Sequence, residues 1–158
     1  MKPIIEMKYI FFTIFSLTIL VAQDQAEIDR LTNTLLTQKS DTLKIKILND
    51  LAWELSESDS EKALNYANEA LRMSDSIRYE DGYITSKVRI GGVYIDQLKY
   101  KKAEEIYLEV LELEKKRKYI YGIGRAYNQL SLIYQDTDDY RKALDFGIKA
   151  LEQFKKLN

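Results

Sequence analysis

Hydrophobic residues recur at intervals of three and four positions along most of the chain. In the first long stripe the apolar positions are Leu43, Ile47, Leu48, Leu51 and Leu55. This spacing places them on one face of a helix, because an α-helix has about 3.6 residues per turn. Similar stripes continue to the C terminus, and no stretch shows the sustained two-residue alternation of a half-buried strand. The pattern predicts an all-α protein.

The stripes repeat with a fixed period. A Lys-Ala pair occurs at Ala63, Ala103 and Ala143, forty residues apart each time, and Gly82 and Gly122 keep the same spacing. A constant period of this length indicates a stack of similar helix pairs. We expect a capping helix in residues 23–40, followed by three units at residues 41–79, 80–119 and 120–158.

Small residues occupy matching places in each unit. The first helices carry Ala52, Gly91 and Ser131, and the second helices carry Ala63, Ala103 and Ala143. Two helices approach closely only where the side chains at their crossing are small. We therefore expect small residues to face one another within each pair.

These features together resemble the tetratricopeptide repeat family, and the resemblance covers Thr42 to Asn158. It implies a right-handed α-solenoid of antiparallel helix pairs. The family's usual period is about 34 residues, whereas the period here is forty. We expect the additional turns at the end of the second helix of each pair.

The resemblance also implies a concave wall, lined mainly by the first helices, that binds a peptide or a partner protein. By register, the binding residues expected there are Lys46, Asn49, Trp53, Thr85, Arg89, Asp96, Arg125, Asn128 and Gln129, with Asp50, Val88, Gly92 and Gln135 beside them. Trp53 is either an exposed anchor of this groove or a core residue under the capping helix. The lysine, asparagine and arginine clamp of chaperone-binding members is not reproduced.

The last predicted helix is broadly apolar, whereas repeat arrays usually end in a polar cap. We expect Phe146, Leu151 and Phe154 to form an apolar end face. One interpretation is that the chain is the front of a longer protein, similar to the periplasmic input region of bacterial tetratricopeptide sensor kinases and regulators. The alternative is an assembly module that self-associates through this end face. We favour the first.

The amino-acid composition argues against several kinds of activity. The 24 basic and 25 acidic residues nearly cancel, which leaves no strong field to attract nucleic acid. The chain has no histidine and no cysteine, the usual agents of nucleophilic and metal chemistry. We therefore predict a non-catalytic protein-interaction scaffold, with no metal, no cofactor and no nucleic-acid partner.

The N-terminal 22 residues are typical of a secretory signal peptide. Lys8 precedes an uncharged apolar run that ends at Ala22. The run is shorter than the roughly 20 residues that a membrane-spanning helix needs. We expect cleavage after Ala22 and export, to the periplasm of a bacterium, with membrane contact only through this signal. The alternatives are an uncleaved anchor and a buried N-terminal helix.

Export can be tested by N-terminal sequencing of the protein recovered from a bacterial envelope fraction. The mature chain is expected to begin near Gln23, because Ala22 suits the position before the cut. A chain that retains Met1 or Met7 and stays in the cytosol would contradict the prediction.

Overall fold

The computed structural model describes residues 24–157, and within this range every regular element is a helix. Residues 24–37 form α1. Six helices follow, α2 (Asp41–Glu54), α3 (Ser60–Ser76), α4 (Glu80–Asp96), α5 (Tyr100–Lys116), α6 (Ile120–Asp136) and α7 (Tyr140–Lys155). The predicted fold class, an all-α solenoid of antiparallel helix pairs, is confirmed. The predicted signal peptide, residues 1–22, lies outside the described residues.

Short links of one kind join successive helices from α3 onward. The middle residue of each link has a left-handed backbone, with φ of 54° at Arg78, 56° at Leu98 and Lys118, and 60° at Asp138. The backbone amide of the residue after it caps the preceding helix. In one of these links, for example, Lys99 N donates to the Tyr94 carbonyl at 2.8 Å. These links therefore recur every twenty residues, and the chain reverses at each of them.

The additional length of each unit is not carried by the second helix alone. Helices α4, α5 and α6 each contain 17 residues. The expectation of a longer second helix therefore holds only in the first unit, where α3 has 17 residues and α2 has 14, and is wrong in the second, where the two helices are equal. In the second unit the additional length is shared by both helices.

The packing between paired helices differs from unit to unit. In the first unit Ala52 packs in one buried cluster with Ala67, and in the third a Cβ on Gly147 would lie 3.2 Å from Ser131 Oγ. In the second unit a Cβ on Gly91 would lie only 2.8 Å from Cε2 of Tyr107. Small therefore faces small in the first unit, although the partner of Ala52 is Ala67 and not the expected Ala63, which packs with Leu55 and Val93. In the third unit Ser131 also contacts the expected Ala143, whose carbonyl accepts from Ser131 Oγ at 2.7 Å. In the second unit the glycine makes room for a tyrosine ring.

The second and third units share a continuous core. Its members come from α4, α5 and α6 and are all nearly inaccessible to solvent: Ile84, Ala103, Tyr107, Val110, Leu111, Ala126, Leu130 and Ile133. Fully burying an aliphatic side chain of this size stabilises the fold by about 1.5 to 3 kcal/mol. This core packs α4 and α6 against α5 and so positions the surface between them.

The predicted end face requires a correction. Phe146 stacks on Tyr134, with ring centroids 5.4 Å apart, and Phe154 packs over Gly124 and beside Tyr121. Both phenylalanines are half-buried because they lie on the side of α7 that faces α6. Leu151 is 53% exposed, as expected. The other exposed apolar residues of this region are Leu144 and Ile148 on α7, and Leu157 just after it.

The adjacent glycines of α4 form a matched pair for testing the close packing. We expect Gly91→Ala to be less stable than Gly92→Ala by about 1 to 3 kcal/mol, because the added methyl overpacks the Tyr107 ring. At Gly92 the nearest atom to a Cβ, Tyr107 Oη, is 3.9 Å away, which is ordinary contact. Since alanine favours a helix over glycine by about 0.5 to 1 kcal/mol, Gly92→Ala is expected to raise the stability. Chemical denaturation of both variants measures the difference, and equal stability would contradict this packing.

Candidate concave binding groove

Two adjoining cavities form one groove on the face lined by α2, α4 and α6. Their volumes are about 560 and 570 Å³. The first lies between α4, α5 and α6, and the second extends from α4 past α2 to the start of α1. The residues that line both cavities are Val88, Arg89, Tyr107, Arg125 and Gln129. The groove therefore has a polar centre with two guanidinium groups.

Most of the residues predicted for the concave wall lie in this groove. Those that line one or both cavities are Trp53, Thr85, Arg89, Asp96, Arg125 and Gln129. Lys46 and Asn128 are exposed but line neither cavity. Asn49 is only 3% exposed, and its Nδ2 donates to the Ile45 carbonyl at 3.0 Å. Its expected place on the wall is corrected, because the phase of α2 turns its side chain inward.

Trp53 is a groove residue and is 60% exposed. The guanidinium carbon of Arg89 lies 4.8 Å from the centre of its ring system. An arginine placed this way over an aromatic face gains about 0.5 to 1 kcal/mol at an exposed site. The stacking also restricts the orientation of both side chains, so that the indole and the guanidinium present one composite surface to the groove.

Arg89 forms no salt bridge with the described residues. Its Nε is buried and makes no hydrogen bond to the described residues. Burial lowers the pKa of the Arg89 guanidinium from its ordinary value, and the attraction of the nearby Asp50 carboxylate opposes this shift. The group remains charged, since arginine does not lose its proton in proteins. A buried donor without an acceptor costs free energy, which a bound acceptor would recover.

Arg117 and Arg125 lie in the same groove but differ in their partners. Arg117 Nη1 is 2.8 Å from Asp81 Oδ1, and Arg117 Nε is 3.2 Å from Glu114 Oε2. Arg125 is exposed, with its guanidinium carbon 6.0 Å from the centre of the Tyr121 ring. Within residues 24–157, neither Arg89 nor Arg125 has a carboxylate oxygen within 4.0 Å. Arg117 is thus neutralised by direct salt bridges, whereas the two central arginines form none with the described residues.

Tyr107 forms part of the groove floor as well as of the core, and the sequence analysis did not include it among the groove residues. Its ring is 3% exposed, and its hydroxyl donates to the Val88 carbonyl at 3.3 Å. Burial raises the pKa of Tyr107 to about 12, so the phenol is neutral at physiological pH. Gly91 was the available signal, because a glycine within a helix often marks a close approach by a neighbouring group.

The end of the groove near the C termini of α2 and α4 is acidic. Glu54, Glu57 and Asp96 line the second cavity there. Burial, followed by repulsion from Glu57, raises the pKa of Asp96. The negative ends of the two helix dipoles point in the same direction. The groove therefore combines a basic centre with an acidic end.

Two further observations concern other kinds of site. Within residues 24–157 no group of three or more acidic, histidine or cysteine side chains is placed to hold a metal ion. None of the helices in this range is both long and apolar enough to cross a membrane.

Comparison with known proteins supports the repeat assignment. Residues 83–156 match the tetratricopeptide repeat family, which confirms the predicted resemblance over the second and third helix pairs. The chain is 33% identical over 98 residues to response regulator aspartate phosphatase I of Bacillus subtilis (strain 168). That alignment covers 60% of this chain and 24% of the relative.

Solved structures share the fold. The crystal structure of the apo form of RapI superposes with a TM-score of 0.69 at 24% identity, covering 79% of this chain and 46% of that one. A Rap protein complexed with Competence and Sporulation Factor superposes with a TM-score of 0.74 at 18% identity, covering 87% and 41%. The chain thus spans about a quarter of the curated relative and less than half of either structure.

Proposed function

We propose that this chain is a non-catalytic interaction module that binds a short segment of a partner protein or peptide in its concave groove. The observation that carries the proposal is the composite surface of Trp53 and Arg89 in the second cavity, where the buried Arg89 Nε has no partner among the described residues. Exposed tryptophan and arginine are the residues that most often dominate binding energy at protein interfaces.

The relatives are consistent with a role in signalling. The relative from Bacillus subtilis is named response regulator aspartate phosphatase I. One of the similar solved structures is a Rap protein complexed with Competence and Sporulation Factor. We propose that the present chain belongs to a longer signalling protein as its sensory part, resembling the input region of exported sensor kinases. Its contribution would then be recognition, since no histidine or cysteine is available in the chain for catalysis.

Filling the groove tests this function without disturbing the core. The Gly92→Gln side chain would project into the second cavity, and the backbone at this position has room for a Cβ. We expect the full-length chain to enrich specific sequences from a displayed library of random short peptides, and Gly92→Gln to lose them. Trp53, the only tryptophan, reports binding through its fluorescence.

The matched control is Asn65→Gln, an exposed neutral position on α3 that lines neither cavity. It is expected to bind the selected peptides as the parent does. Failure of the parent to enrich any peptide, or undiminished binding by Gly92→Gln, would refute the proposed function.

Self-association is a second candidate function, and the exposed side of α7 favours it. Leu144 is 64% exposed, Ile148 48% and Leu151 53%. Leu111, the counterpart of Leu151 forty residues earlier, is buried beneath the following helix pair. An apolar stripe of this kind is typical of a contact surface.

Sedimentation over a range of concentrations distinguishes this candidate from groove binding. We expect the full-length chain to associate as its concentration rises, and Leu151→Glu to sediment as a monomer, since a charge would be buried at the contact. Leu36→Glu on α1, at a leucine that is 79% exposed, is the control. A parent chain that remains monomeric at all concentrations would rule out this role.

A further inference from the structure

The first cavity of the groove, between α4, α5 and α6, is lined by one buried acid, Glu114 of α5. We propose that this cavity is a subsite for a tyrosine side chain of the bound segment, with the tyrosine hydroxyl donating a hydrogen bond to the Glu114 carboxylate. This inference rests on the proposed function, because it assigns a residue type to the segment that the groove would hold.

The Glu114 carboxylate is buried with too few hydrogen bonds. The residue is 5% exposed, and its Oε2 is buried and makes no hydrogen bond to the described residues. Arg117 Nε lies 3.2 Å from Oε2, but the two atoms lack the geometry of a hydrogen bond. Burial raises the pKa of the Glu114 carboxyl, and the charge of Arg117 opposes this shift. A buried acceptor of this kind costs free energy, which a donor in the cavity would recover.

The repeat does not require an acid at this position. Ser74 lies forty residues before Glu114, and Phe154 lies forty residues after it. Ser74 is also buried, but its own helix satisfies it, because its hydroxyl donates to the Ala70 carbonyl at 2.7 Å. Of these three described residues, only Glu114 keeps a buried polar atom without a hydrogen bond. This favours a role for Glu114 in binding over a role in packing.

The lining of the first cavity suits an aromatic ring. Its apolar residues come from three helices and are Ile84, Val88, Tyr107, Val110 and Ala126. A cavity of about 560 Å³ is large enough to hold a ring. Tyrosine buries a large apolar area, and its hydroxyl usually finds a partner when it is buried. It therefore matches a cavity that combines an apolar lining with an acceptor.

The charges of the cavity favour a neutral donor over a cationic one. Three arginines and two acids line it: Arg89, Arg117, Arg125, Asp81 and Glu114. A lysine or an N-terminal amine would meet this excess of positive charge. A phenol remains uncharged at neutral pH, because its ordinary pKa is about 10, and it can still donate a hydrogen bond.

The chain contains the same pairing at other places. The Tyr134 hydroxyl of α6 donates to Glu104 of α5, and the Tyr140 hydroxyl donates to Asp138 Oδ1 at 2.6 Å. The first of these pairs joins two of the helices that enclose the cavity. A hydrogen bond to an ionised acceptor is roughly twice as strong as one between neutral groups. A tyrosine of the bound segment would repeat this contact at Glu114.

Four synthetic peptide mixtures test the subsite. All have blocked termini and randomised neutral flanks without tyrosine, and the fixed central residue is tyrosine, phenylalanine, O-methyltyrosine or lysine. Peptides retained by the immobilised full-length chain at neutral pH are quantified. We expect the tyrosine mixture to be retained roughly tenfold or more above the phenylalanine and O-methyltyrosine mixtures, because neither of those rings can donate to a carboxylate. The lysine mixture is expected to be retained less than the tyrosine mixture.

The variant Glu114→Ser is expected to lose the preference for tyrosine while it still retains the phenylalanine mixture. Serine is the residue that the first unit has at this position, where it packs against Gly82. The control is Glu105→Ser, the same replacement at an exposed position of α5 that lines neither cavity. Thermal unfolding followed by circular dichroism checks the fold of each variant. Glu114→Gln keeps the size of the side chain but not its charge, and is expected to weaken the preference.

The possible failures are distinguishable. Equal retention of the three aromatic mixtures by the parent, with loss of retention in Gly92→Gln, would overturn the tyrosine subsite and leave the groove function standing. A preference for tyrosine that is undiminished in the folded Glu114 variants, or stronger retention of the lysine mixture, would also overturn the subsite. No retention of any mixture by the parent would overturn the subsite and the groove function together.

Discussion

The close approach of α4 and α5 at Gly91 determines much of what the concave surface presents. Because Gly91 has no side chain, the Tyr107 ring packs directly against α4 and its hydroxyl reaches the Val88 carbonyl. The ring then forms a neutral floor beneath the two central arginines. A larger residue at this position of α4 would displace the ring and change the floor of the groove as well as the packing of the hairpin.

The two helices of each unit pack closely against each other, but the side chains at the contact differ between the three units. Ala52 packs with Ala67, Gly91 with Tyr107 and Gly147 with Ser131. A small residue on at least one helix is kept each time, because close crossing requires small side chains at the contact. Only the second unit places a ring at the crossing, so the repeats share an architecture but not a surface. Recognition can therefore vary between units while the fold stays regular.

The net charge of the chain is close to zero, but the charges in the groove are unevenly distributed. Arg117 is balanced by Asp81 and Glu114, whereas neither Arg89 nor Arg125 forms a salt bridge within residues 24–157, and the nearby Asp50 carboxylate only partly offsets the Arg89 charge. The buried Nε of Arg89, which has no partner among the described residues, lowers the stability of the free protein. Residues that are costly in this way often belong to binding sites, where a ligand supplies the missing partner.

The sequence by itself determined the helical class, the forty-residue period and the positions of the pairs, because these follow from local spacing and small residues. It also placed Trp53, Arg89 and Arg125 on the concave wall, since register along a repeat predicts which way a helix position faces. The tertiary structure decided the rest. It turned Asn49 inward, set Phe146 and Phe154 against α6 and brought Tyr107 to the groove floor. These outcomes depend on which side chains from distant segments meet, and hydrophobic periodicity does not encode that.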